Sequence, residues 1–316
     1  HYSFSPEAYN PLVPHQHDLR EKKMLSRREI LKGTLAAGAV SAIGSTVFIP
    51  LAAKAKAPLV GTQAPGYYRL MVGDIEVTAL SDGTGLFPMA DLYVNTTPEQ
   101  ARLALANAFQ GTPTRLSVNA YLLNFGDRLV LLDAGSSDLM GPALGKLPAN
   151  MIASGYHPDQ VDDVVITHIH PDHTGGLMLG GNKVFPNATV HVPEADKAFW
   201  LSAENKANAP EDTKGFFDQA VAALTPYIDS GKLEQFAADA PAIPGMVNTT
   251  SRPGHTPGHS ALWIESKGEK FVYWGDITHG DVVQFDDPNV AIAFDGDTNM
   301  AIKSREAAFA EAVKEK

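Results

Sequence analysis

The 316-residue chain has no cysteine. Neither a disulfide framework nor a thiolate ligand is available, so any metal it holds must rest on nitrogen and oxygen. Positive charge is also scarce. Lysine and arginine number 25 against 36 aspartates and glutamates, a formal net charge of −11. Residues 1–57 hold eight Lys/Arg and four Asp/Glu, which leaves −15 for the remainder. So acidic a body repels a phosphate backbone and speaks against a nucleic-acid partner. No internal repeat or low-complexity tract is present, and nothing marks a second folded domain. The acidic remainder has the size at which layered β-containing folds often run as one domain.

The basic leader has its own pattern. Ser26-Arg27-Arg28-Glu29-Ile30-Leu31-Lys32 precedes a mildly apolar run from Gly33 to Ala53. This resembles a twin-arginine export signal, with Ala53-Lys54-Ala55 or Ala55-Lys56-Ala57 as a small-residue cleavage site. A transmembrane anchor is the competing reading, but the Gly, Ser and Thr content makes the run weakly hydrophobic. The expectation is a signal over residues 24–57, a periplasmic or secreted product, and no stable membrane anchor after processing. Met24 is the expected start, with residues 1–23 an upstream extension whose His15 and His17 play no part in function. The folded domain is then residues 58–316.

The chain turns on Thr167-His168-Ile169-His170-Pro171-Asp172-His173-Thr174-Gly175-Gly176. Three imidazoles and a carboxylate fall within six positions, directly after the β-branched run Val161–Ile166, which reads as a buried strand. The motif therefore leaves the carboxyl end of a strand, where a rigid scaffold presents it. Imidazole nitrogen and carboxylate oxygen are the ligand set for zinc and similar divalent metals. His168 and His170, two apart, can pinch one metal. Asp172 and His173, past the bend at Pro171, aim elsewhere and can serve a second. A second rigid segment, Ser251-Arg252-Pro253-Gly254-His255-Thr256-Pro257-Gly258-His259-Ser260, fixes imidazoles between glycines and prolines.

The remaining periodicity predicts hairpins at Tyr67–Val72/Ile75–Leu80, Val118–Phe125/Arg128–Leu132 and Ala261–Glu265/Lys270–Trp274. A short strand is expected at Ala188–Val192. Helices are expected at Gly141–Gly155, Glu194–Leu201, Asp212–Ile228 and Met300–Val313.

His-x-His-x-Asp-His resembles the signature of the metallo-β-lactamase superfamily of hydrolases. The resemblance implies an α/β (α+β) fold, a four-layer αββα sandwich with metals at one edge. It implies two divalent metal ions, Zn²⁺ foremost, with Mn²⁺, Co²⁺ or Fe²⁺ as alternatives. The ligands carried over are His168, His170 and His255 for the first metal and Asp172 and His173 for the second, with Asp276 bridging both. Asp172 and Asp276 are the catalytic carboxylates, and a metal-bridging hydroxide is the nucleophile. Asp133 reads either as support for the metal loop or as a plain turn carboxylate, and His259 hydrogen-bonds within its loop. The superfamily supplies one more histidine to the second metal, well after the bridging Asp. The last histidine here is His279, so the expectation is a chain lacking its C-terminal strand and loop.

Ala64-Pro65-Gly66-Tyr67-Tyr68-Arg69, Leu80-Ser81-Asp82-Gly83-Thr84, Gly215-Phe216-Phe217 and Gln284-Phe285-Asp286-Asp287-Pro288 resemble the methyl parathion hydrolase branch, whose relatives also cleave lactones and aryl esters. By that likeness the substrate pocket takes Met140, Trp200, Phe216, His279, Ile292 and Phe294, whereas Phe217 reads as core. Met140 and His279 depart from the phosphotriesterase pattern, which has an aromatic and an aliphatic residue there. A polar His279 beside the metals favours a planar lactone or aryl ester over a bulky phosphotriester. The acidic body argues against the nuclease branches of the same superfamily. The alternatives are organophosphate triester hydrolysis, thioester hydrolysis or one-iron oxygen chemistry, and a truncated metal-binding fragment without turnover. A homodimer is the assembly the likeness implies.

Overall fold

Alternating apolar residues on either side of Gly73-Asp74 build the first hairpin, β1 (Tyr67–Val72) with β2 (Ile75–Phe87). In the computed structural model, which describes residue 57 and residues 59–315, β2 runs seven residues past the expected Leu80. A register shift between Ser81 and Gly83 lets it bend. The export-signal and start-site expectations fall on residues 1–57, which apart from residue 57 lie outside the described residues.

The other strands are β3 (Tyr93–Val94), β4 (Thr114–Asn124), β5 (Leu129–Leu132), β6 (Asp163–Val165), β7 (Met178–Leu179), β8 (Asn182–Lys183), β9 (Thr189–Pro193) and β10 (Leu233–Phe236). The last four are β11 (Asn248–Ser251), β12 (Ser260–Ser266), β13 (Glu269–Tyr273) and β14 (Ala291–Ile292). A seven-stranded sheet has the order β1-β2-β4-β5-β6-β9-β10. Its first four strands pair antiparallel, and β5, β6, β9 and β10 run parallel. Strands β11-β12-β13 form a second, antiparallel sheet.

Side-chain alternation sends β5 and β6 residues to opposite faces. Leu131 and Val164 face helices α3 (Leu147–Ser154), α5 (Glu194–Trp200) and α7 (Lys214–Asp229), packing with Leu147, Met151, Phe217, Leu224 and Tyr227. Val130, Leu132 and Val165 face the second sheet and meet Leu262, Ile264 and Phe271. Leu131 is fully buried, so Leu131→Ala would cost about 2–5 kcal/mol. Helix α9 (Thr298–Lys314) covers the outer side of the second sheet, with Phe309 against Trp274 at 5.8 Å and Arg252 paired to Glu311. The layers are therefore helix, sheet, sheet, helix, as expected for αββα.

Three local readings differ. The expected helix from Gly141 begins only at Leu147, because Gly141 and Gly145 adopt positive φ (89° and 73°). Pro148 then sits in the first turn, where its missing N–H costs nothing. Helix α2 (Pro98–Asn107) was not anticipated, although Thr97 and Gln100 form a reciprocal capping box at its start. The metal-motif loop also contains a helical turn, α4 (Pro171–Thr174). The remaining helices are α1 (Met89–Leu92), α6 (Ala203–Asn208) and α8 (Val283–Asp286). α1, α2, β3 and β14 close a small third core around Tyr93 and Ile292. Among the described residues no helix is long and apolar enough to cross a membrane.

Candidate metal centre

β6 ends at Val165, and the chain leaves the sheet carrying His168, His170, Asp172 and His173 from its carboxyl end. Asp133, at the end of β5 with φ +58°, receives this loop: its Oδ1 accepts from Thr167 N (2.8 Å) and its Oδ2 from Thr167 Oγ1 (2.8 Å). Turn α4 is stitched to the same segment, with Ala134 N donating to His173 O (2.8 Å) and Gly176 N to Gly135 O (2.8 Å). A Cβ on Gly176 would lie 1.8 Å from Ala134 O, which explains a glycine there.

The structure brings all six carried-over residues together. His170 Nδ1 and His255 Nε2 are 3.0 Å apart. Asp276 Oδ2 lies 3.4 Å from His255 Nε2 and 3.9 Å from His168 Nε2. The other oxygen, Oδ1, is 3.2 Å from His173 Nε2, and Asp172 Oδ2 is 3.5 Å from that same nitrogen. Two ligand groups result, His168/His170/His255 and His168/His173/Asp276, with His255/Asp276/His279 as a third set within the same span.

A metal fits this arrangement on two observations. His168 Nε2 is buried with no hydrogen-bond partner, a loss a protein rarely tolerates without a ligand. The outward nitrogens of three of the imidazoles are held: His173 Nδ1 by Asp133 Oδ2 (2.6 Å), His255 Nδ1 by Asp295 Oδ1 (2.9 Å) and His168 Nδ1 by Thr167 Oγ1 (3.0 Å). Such contacts orient metal-bound histidines and raise their basicity.

Burial dominates the electrostatics. It pushes His168 and His170 well below the ordinary imidazole range, so both present free lone pairs. Burial also opposes charge on His173 and His255, but neighbouring carboxylates outweigh it. Asp276, Asp172 and Asp133 hold His173 well above its usual value, and Asp276 with Asp295 raises His255 to about 9. Asp276 stays well below the carboxylate range despite burial, chiefly through His173 and His279.

His259 serves the backbone. Asp276 N donates to its Nε2 (3.0 Å), so the proton sits on Nδ1, which faces Arg252 O (3.2 Å). Burial lowers His259 to about 3 and keeps that tautomer neutral. Gly275, at φ +56°, permits the approach, since a Cβ there would come within 2.7 Å of the His259 ring.

The pocket residues divide. Trp200 and Phe216 lie against His170, with ring centroids 5.3 and 5.9 Å away, and Phe294 is 6.2 Å from His279. Ile292 is buried in the third core, and Met140 is part-exposed in the irregular loop before α3. Phe217 packs on Phe199 and Trp200 inside the core. A cleft of about 400 Å³ beside that loop is lined by Asp138, Pro142 and Leu179 but by none of the ligands. Chemistry rather than size locates the site.

Three supporting residues stand outside every motif of the sequence, Asp196, Asp295 and Tyr273; a fourth, Thr167, stands in the metal motif without an expected role. Asp196 ties the two metal loops together, accepting from Ile169 N (2.7 Å), Thr256 Oγ1 (2.8 Å) and Gly258 N (2.5 Å). Only the Cβ contact expected at Gly258, 2.6 Å from Asp196 N, hints at that closeness.

The family model described as Metallo-beta-lactamase superfamily matches residues 113–312. A crystal structure of the hydrolase AbOPH, in the β-lactamase superfamily, superposes with TM-score 0.75 and 35% identity, covering 79% of this chain and 87% of that one. Among curated relatives, Ribonuclease TTHA0252 of Thermus thermophilus is 28% identical over 57% of this chain and 39% of its own length. N-acyl homoserine lactonase of Bacillus thuringiensis is 27% identical over 36% of each chain. The chain thus spans less than half the length of these two curated relatives. With the αββα layers, the clustered ligands and a family match over most of the described residues, the chain belongs to the metallo-β-lactamase superfamily of hydrolases.

Proposed function

We propose that this protein is a dinuclear metal-dependent hydrolase of lactones or aryl esters. The observation that carries the reading is Asp276, whose two oxygens face different ligand groups, Oδ2 toward His255 and Oδ1 toward His173. His168, His170 and His255 would hold one metal and Asp172 and His173 the other, with Asp276 shared and Zn²⁺ the expected ion. Bound there, the metals supply Lewis acidity and a water acidified toward neutral pH.

The chain's own groups do the rest. Asp133, Asp295 and Thr167 hold the imidazole rings, and His259 fixes the Asp276 backbone. Asp172 Oδ2 stands beside His173 as the second catalytic carboxylate. Trp200 and Phe216 form an apolar wall against His170 that excludes water and receives the acyl or aryl part of a substrate. His279, beside Asp276, adds a polar group that favours a planar ester or lactone. The lactonase relative supports the same substrate class, whereas motif likeness to methyl parathion hydrolase supports the alternative, a phosphotriester. The acidic body opposes a ribonuclease activity. Export by the twin-arginine route and a homodimer complete the proposal; cell fractionation and sedimentation test them.

The deciding experiment compares a γ-lactone, an aryl acetate and a dimethyl aryl phosphotriester on one preparation of known metal content. The lactone or ester should give the higher kcat/KM. A higher value for the phosphotriester reverses the substrate assignment, and no turnover of any substrate with two metals bound removes the enzymatic one.

A further inference from the structure

His279 reaches the centre from a loop of its own. Its Nε2 lies 3.0 Å from Asp276 Oδ2, and its ring is 4.9 Å from that of His255. By distance alone it qualifies as another ligand, grouped with His255 and Asp276. Its remote nitrogen separates it from three of the four ligand histidines, His170 being the other without such a contact. His168, His173 and His255 each have the outward nitrogen held by a hydroxyl or carboxylate. His279 Nδ1 is buried and has no partner.

The tautomer follows. Were Nε2 to give its lone pair to a metal, the proton would sit on Nδ1 as a buried, unpaired N–H donor, at a cost of about 1–3 kcal/mol. With the proton on Nε2, Nδ1 stays unpaired as an acceptor, but the ring gains a hydrogen bond to the ionised Asp276 Oδ2 (3.0 Å) that the other tautomer forgoes.

We infer that His279 is a positioning residue that donates Nε2–H to Asp276 Oδ2 and fixes the carboxylate across the two ligand groups. Without the donor, Oδ2 keeps only its longer contact with His255 (3.4 Å), and the aim of Oδ1 toward His173 is less firmly held. The backbone is built for the task independently of the ring. Tyr93 OH donates to His279 O (2.5 Å), and His279 N donates to Gln284 Oε1 (2.6 Å). Replacing the imidazole therefore leaves the loop in place. The inference rests on the two-metal reading above.

The test is Co²⁺ titration of the metal-free full chain, following visible absorption and affinity for each equivalent in the wild type, His279→Gln and His279→Leu. Glutamine places an amide N–H near the position of Nε2, whereas leucine offers no donor. Wild type and His279→Gln should take up two equivalents alike. His279→Leu should keep the first-equivalent spectrum and bind the second about tenfold more weakly. A first-equivalent spectrum altered in both variants would make His279 a direct ligand and overturn the inference. Second-equivalent affinity in His279→Leu equal to wild type would also overturn it, leaving the two-metal reading intact. A wild type that takes up no Co²⁺ would overturn both.

Discussion

Asp133 Oδ2 and His173 Nδ1 stand 2.6 Å apart, buried at the carboxyl end of β5 and β6, and the same oxygen accepts from Tyr273 OH at 2.8 Å. The carboxylate at the end of β5 thereby joins the motif loop to the second sheet and sets the His173 tautomer that aims Nε2 at Asp276. Asp133→Asn should lower metal affinity about 10- to 100-fold while the fold persists. Chelator competition and circular dichroism would check this; unchanged affinity would reduce Asp133 to a turn residue.

Asp276 turns one oxygen toward His255 and the other toward His173, so under the proposed two-metal arrangement its loss should be felt twice. Asp276→Ala is expected to abolish hydrolysis and to leave fewer than two metals per chain by elemental analysis. A variant with wild-type turnover and two metals would remove the bridging assignment.

Metal uptake should release protons. His255 sits at about 9 and His173 well above its usual value in the metal-free protein, because carboxylates surround both. At pH 7.5 His255 is protonated and must give up Nε2–H to ligate, and the raised His173 adds to the release. At least one proton should appear per two Zn²⁺ bound in a weakly buffered titration. Affinity should accordingly rise with pH up to about 9 and fall in acid. Uptake without proton release would contradict these protonation states.

Acid stability has a separate source at the opposite end of the strands. Asp163, buried at the start of β6, accepts from Arg128 Nε (2.5 Å) and Nη2 (2.9 Å) and contacts His191 Nε2 (2.7 Å). Burial opposes its charge, but His191 and Arg128 bring its pKa below the usual 3.8. A depressed folded pKa means the unfolded chain takes up the proton first. The stabilisation is therefore complete above pH 3.8 and lost as pH falls through the folded value. Asp163→Asn should cost about 2 kcal/mol at neutral pH and flatten the acid limb of stability, measured by urea unfolding from pH 3 to 7.

Gly176 tests the packing of the motif loop. Because a Cβ would lie 1.8 Å from Ala134 O, which is backbone, neither partner can yield cheaply. Gly176→Ala should destabilise by about 3 kcal/mol or more and displace His173 from Asp133. Thermal unfolding at or above the wild-type midpoint would contradict that closeness.

The metal chemistry was legible in the chain itself. Closely spaced imidazoles and a carboxylate after a β-branched run can hardly be anything but a ligand loop at a strand end, and His255 is marked by its glycines and prolines. The three hairpins, the two inner strands and the longer helices followed from periodicity, since burial on one face repeats every two or every 3.6 residues. The start of α3 was misjudged because Gly141 and Gly145 take positive φ, which no periodicity encodes.

What the linear chain did not contain was the set of partners distant in sequence. Asp133 meets His173, Asp295 meets His255, and Asp196 spans Ile169 and Gly258, all across 27 to 62 positions. These are single polar residues with no repeat and no motif, and a lone carboxylate reads as a turn or surface charge. Nor did sequence reveal that His279 lacks the outer partner that His168, His173 and His255 possess. The residue types and their local spacing determined that a metal centre forms; only the packing of two sheets and their loops decided which carboxylate orients each imidazole. Hydrogen bonding depends on distance in space, which chain order does not record.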